Sequence, residues 1–81
     1  MNITTPRGSV VRSASQRRFL VVWEEFTVQD NQPVRAGIEK RSDSLDVLRT
    51  HVSRKGRSFF VAGSSTASER MIIDSLSGEV Q

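Results

Sequence analysis

Three segments of this chain, residues 18–28, 57–63 and 70–76, read as β-strands with large apolar residues at odd and even positions alike. Successive side chains of a strand point to opposite faces. Phe19, Val21 and Trp23 therefore fall on one side of a sheet and Leu20, Val22 and Phe26 on the other. Only residues 43–55 read as a helix, and one helix shields one face. The sequence thus predicts more apolar β-surface than its helix can cover, with the second face left to another copy, a partner or a tail.

Size sharpens the point. Eighty-one residues make one small domain, and a chain of this class stays marginal unless disulfides, metals or association support it. There is no cysteine, so disulfides and thiolate zinc sites are excluded and association remains. No stretch approaches the ~20 apolar residues of a membrane-spanning helix. The N-terminus has no apolar signal block, and Pro6 and Gly8 would interrupt the amphipathic helix of a transit peptide. The expected location is the cytoplasm.

The net charge of +3 is lopsided: Arg7, Arg12, Arg17 and Arg18 all precede the first carboxylate, Glu24. Residues 1–17 mix Ser, Thr, Arg and Gly without a sustained period, which reads as a flexible basic arm. Residues 18–81 then form the folded domain. Asp30-Asn31-Gln32-Pro33 supplies turn chemistry after the first long strand. Residues 34–41 alternate cleanly, Val34, Ala36 and Ile38 against Arg35, Glu39 and Arg41, as a half-exposed edge strand does.

Ser42 is the expected helix cap, with Asp43 and Asp46 near the positive end of the dipole and Arg54 and Lys55 near the negative end. Leu45, Leu48 and Val52 form the inward stripe, Val47 faces outward, and Gly56 terminates the helix. Residues 64–69 read as a polar loop, and Ser77-Gly78 as a turn near the end. The expected fold is a small α+β domain: a four-stranded, mainly antiparallel sheet in the order ββαββ, with one helix on one face.

Candidate chemistry is sparse. Glu24 and Glu25 are adjacent on a strand, so they face opposite sides and cannot address one substrate. His51 is the only histidine, and Asp43, Asp46 and His51 are spread around the helix rather than gathered on one side. Ser64 and Ser65 lack the strand–elbow–helix setting of a hydrolase nucleophile. No glycine-rich phosphate loop occurs, although Arg54-Lys55-Gly56-Arg57 is a compact basic turn. No catalytic residue, metal ligand, cofactor or small-molecule substrate is expected.

The leading expectation is a non-enzymatic interaction protein: an adaptor, inhibitor or assembly component, of the accessory kind that phages and other mobile elements carry. It would self-associate, as a homodimer, or dock on a larger protein through Leu20, Val22, Trp23 and Phe26, with Val47 a further contact. The alternative is a nucleic-acid-binding protein using Arg7, Arg12, Arg17 and Arg18, helped by Arg54, Lys55 and Arg57.

Overall fold

The computed structural model describes residues 2–12, 17–60 and 62–81. Two short strands, β1 (Asn2–Thr4) and β2 (Val10–Arg12), make an N-terminal hairpin. The main body follows as β3 (Phe19–Thr27), β4 (Pro33–Ser42), α1 (Leu45–Lys55), β5 (Ser58–Phe60) and β6 (Thr66–Asp74). The last four strands form one antiparallel sheet in the order β4-β3-β6-β5. The expected small α+β domain with one helix packed on a four-stranded sheet is therefore the observed architecture.

The central strands carry the apolar runs. β3 and β6 pair along their whole length, from Phe19 opposite Asp74 to Thr27 opposite Thr66. Phe19, Val21 and Ile72 point toward α1, where Leu48 and Val52 are buried against them and Leu45 packs alongside. The helix begins at Ser44, whose hydroxyl accepts from the Val47 amide, rather than at Ser42. Ser42, two residues upstream of the cap, instead accepts from the Ser44 amide. Gly56 ends the helix at a φ of 93°, in the region open to a residue without Cβ, and its amide bonds the Val52 carbonyl.

The opposite face holds the main departure from the sequence reading. Leu20, Val22, Met71 and Ile73 form a second core, and Ile3 and Val11 of the N-terminal hairpin close it. Residues 2–12 are thus not a loose arm but the missing cover. Pro6 and Arg7 make the hairpin turn, with the Thr5 amide on the Ser9 carbonyl at 2.9 Å and the Gly8 amide on the Thr5 carbonyl at 2.9 Å. Each strand sends one apolar side chain inward, and these two are direct cross-strand partners. The surplus apolar face is enclosed within the chain.

Other boundaries also shift. β6 begins at Thr66, so much of the expected polar loop over 64–69 is strand. β5 keeps only Ser58–Phe60 of the expected strand over 57–63. Residues 13–16 of the expected arm and Val61 of that strand lie outside the described residues. Where β3 meets β4 the register slips between Val21 and Val22 and again between Glu25 and Phe26. The first slip leaves Glu39 without a partner on β3; alternation from Arg35 and Gly37 already sets Glu39 on the helix side, and the slip brings Lys40 to that side as well.

Candidate functional site

The residues expected to form a contact surface are mostly interior. Leu20 and Val22 are 0% exposed beneath the N-terminal hairpin, so the expectation that they meet a partner is corrected. Phe26 is half-buried, with the Arg7 guanidinium stacked 3.7 Å from its ring centroid. Trp23 is half-buried on the helix side, its indole lying across Gly37 so closely that a Cβ there would fall 2.9 Å from Cζ2. Val47 alone of the set is exposed, at 45%.

Glu24 accounts for how the hairpin is held. Its carboxylate is fully buried on the hairpin side, where it accepts from the Thr5 hydroxyl and from Arg7 Nη1 at 3.2 Å. Arg7 also reaches Asn31 at 2.7 Å and Glu69 at 3.3 Å. Burial pushes the Glu24 carboxyl up, yet the polar groups of Ser9, Thr5 and Arg7 together hold it below the usual carboxylate range. Glu25 points the other way, to Arg35 at 2.6 Å and the Thr66 hydroxyl at 2.8 Å. The two glutamates serve separate faces, as strand alternation requires.

The basic residues divide into engaged and open groups. Arg7 is the hairpin clasp, Arg17 pairs with Asp43 at 2.9 Å, and Arg18 pairs with the largely buried Asp74 at 2.9 Å. Bonding from Arg18 holds the Asp74 carboxyl below its ordinary range. Arg12 is exposed on β2, and Arg54, Lys55 and Arg57 are exposed around the end of α1. The arginines of the N-terminal segment are therefore not gathered into one free basic face. Three of the four tie elements together.

A polar network that the sequence did not signal fastens α1 to the sheet. Glu39 accepts from Arg70 Nε at 2.8 and 3.1 Å and lies 2.8 Å from His51 Nε2. Arg70 Nη1 donates to the carbonyls of Lys55 and Gly56 at 3.3 and 3.2 Å, and its guanidinium lies 4.5 Å from the Phe59 ring centroid. Bonding from Arg70 holds the Glu39 carboxyl below its ordinary range. His51 is thus a structural partner on the helix flank. The alternation of β4 sets Glu39 on one side with Arg35, but nothing in the sequence names His51 and Arg70 as its partners.

With both faces closed, the sheet edges are what remain, and they differ sharply. β4 is guarded: Pro33 removes a donor, the slip at Glu39 breaks the ladder, and Arg35, Lys40 and Arg41 line the strand. β5 has none of these protections. Phe60 is 73% exposed and Phe59 44%, and from Ser58 to Ser68 the sequence carries no charged side chain. The Arg70 amide bonds the Arg57 carbonyl at 2.6 Å. Antiparallel alternation from that pair sends the amides and carbonyls of Ser58 and Phe60 to the open side. Phe59 and Phe60 belong to the apolar run over 57–63, yet they lie at the rim of the sheet and not in either core.

Comparison with known proteins adds nothing to this geometry: no protein-family model, no characterised protein and no solved structure matches the chain. No helix among the described residues is long and apolar enough to cross a membrane, and no cluster of metal-ligating side chains occurs among them.

Proposed function

We propose that this chain is a non-enzymatic interaction protein that self-associates by pairing β5 with β5 of a second copy. The contrast between the two sheet edges carries the reading: one is blunted by proline, bulge and charge, the other offers unpaired backbone and two exposed phenylalanines. A second copy suits this edge because the segment is uncharged and so complements itself without repulsion.

The register follows from the ladder. Ser58 and Phe60 present the free groups, so an antiparallel pair joins Ser58 of one copy to Phe60 of the other and conversely. Phe59 then faces its counterpart across the symmetry axis in a non-hydrogen-bonded position, where side chains approach most closely. The product is one continuous sheet through both copies, closed at its outer ends by the guarded β4 strands. Because each copy contributes a three-residue strand, the association is weak and concentration-dependent. The cysteine-free composition suits the reducing cytoplasm, where we place the protein.

Sedimentation equilibrium across a wide concentration range tests this. The weight-average mass is expected to climb from the 9.1 kDa of the chain toward twice that value. The rise should persist in high salt, since apolar edge pairing is not screened, and should vanish in Phe60→Asp. A chain that stays at its monomer mass up to about 1 mM, where even a contact worth only about 4 kcal/mol half-saturates, would overturn the reading. So would association that high salt abolishes, the behaviour expected of a phosphate-bound or charge-driven complex.

A further inference from the structure

A cleft of about 470 Å³ opens on the helix side of the sheet, along the flank of α1 that carries Arg49, Val52 and Ser53. It exists because the outer edge of β6 is shared. β5 pairs with residues 67–69, whereas the chain's last residues take the other half, with the Gln81 amide on the Ile72 carbonyl at 2.8 Å. The two segments leave a seam between them, and Arg57 and Arg70 border it.

The lining carries three arginines, Arg49, Arg57 and Arg70, and no carboxylate side chain; the main-chain carboxylate of Gln81, also at the border, makes no ion pair with them. Their charges are not equally available. Arg70 is answered by Glu39 and spends Nη1 on the carbonyls at the end of α1. Those same bonds, with the Gly56 amide on the Val52 carbonyl, satisfy acceptors at the negative end of the helix that would repel an anion. Arg49 has only the exposed Asp46 at 3.8 Å, and Arg57 has no ion pair among the described residues. Arg57 without an ion pair and Arg49 with only a long, exposed one therefore border the cleft beside Val52, Ser53 and Ile72.

We propose that this cleft binds a phosphomonoester of nucleotide size. A terminal phosphate carries about −1.5 to −2 at pH 7 and can engage Arg57 and the weakly paired Arg49 together, whereas a carboxylate or a backbone phosphodiester carries one charge and matches the pair less well. Arginine forks also suit phosphate oxygens geometrically. The organic body lies on Val52 and Ile72, and the volume falls within the ordinary range for small-ligand pockets. The basic turn at residues 54–57 is the one trace of this site in the sequence, and it supplies Arg57. The proposal does not depend on β5 pairing.

Calorimetric titration with AMP, phenyl phosphate, adenosine and an oligothymidylate lacking terminal phosphates tests it. Both phosphomonoesters are expected to saturate, with adenosine and the oligonucleotide weaker by about tenfold or more, the loss expected when a charge-assisted contact is missing. Arg49→Gln and Arg57→Gln, both at exposed positions, should each weaken AMP about tenfold while melting like the parent. Arg12→Gln should bind unchanged, and Phe60→Asp should bind unchanged whether or not the parent dimerises. The site is refuted if neither phosphomonoester saturates, if adenosine equals AMP, if Arg49→Gln and Arg57→Gln bind like the parent, or if the oligonucleotide binds more tightly.

Discussion

Replacing Ile3 by alanine separates a structural hairpin from a loose arm. Ile3 is 4% exposed and packs with Val11 onto Leu20, Val22, Met71 and Ile73. Truncating a buried isoleucine to alanine costs about 2–5 kcal/mol, from lost transfer energy and from the cavity left behind. The hairpin is thin and can settle toward the sheet, so the lower half of that range, about 2–3 kcal/mol, applies here. A chain of 81 residues has a total stability of about 4–12 kcal/mol. One side chain in the N-terminal segment therefore accounts for a substantial share of it. Urea denaturation followed by Trp23 fluorescence and by circular dichroism should show the midpoint falling with an unchanged slope. Val11→Ala should act in the same direction but less, and the double variant should cost less than the sum, because Ile3 and Val11 are cross-strand partners. If Ile3→Ala unfolds within about 0.5 kcal/mol of the parent, as substitutions at unconstrained surface positions do, the hairpin does not close the second core.

Gly37→Ala should destabilise by about 1–3 kcal/mol and shift Trp23 emission, because the new methyl must displace the indole that lies against this backbone. An unchanged spectrum would refute that contact. Arg70→Lys, checked by thermal melting, should cost about 1–2 kcal/mol, since an ammonium cannot bridge Glu39 and two helix-end carbonyls in one plane. For Glu24, the folded-state carboxyl lies below its unfolded value, so its contribution is complete above the unfolded value of about 4.3 and is lost as pH falls through the folded one. Glu24→Gln should therefore be less stable at neutral pH and lose less on acidification than the parent. Parallel acid limbs for the two proteins, measured by denaturation at a series of pH values, would contradict this.

The elements with strong periodic signals were legible and those without were not. The long runs of β3 and the second half of β6, the alternation of β4 and the Leu48–Val52 stripe of α1 all follow from side-chain spacing. The N-terminal hairpin was not legible, because each strand commits a single apolar residue inward and leaves nothing periodic to detect. What does mark it is Pro6-Arg7-Gly8 between Ile3 and Val11, a turn flanked by one inward residue on each side. Two apolar faces and one helix leave the second face to another copy, a partner or a tail; the N-terminal hairpin is that tail, and without its turn recognised the cover is sought outside the chain. Phe59 and Phe60 failed for the opposite reason. An apolar run reads as interior, but pairing on only one side leaves it at the rim. The Glu24 clasp and the Glu39–His51–Arg70 network join residues far apart in the chain, which spacing within single elements does not reveal.

Amide hydrogen exchange at Ser58 and Phe60, read residue by residue at several protein concentrations, tests the β5 pairing most directly. These two amides face open solvent in a single copy and become hydrogen-bonded across the symmetry axis in a pair. Their protection should rise with concentration, while amides on the guarded β4 edge keep one rate throughout. Exchange at Ser58 and Phe60 that is equally fast at every concentration would contradict self-association through this edge.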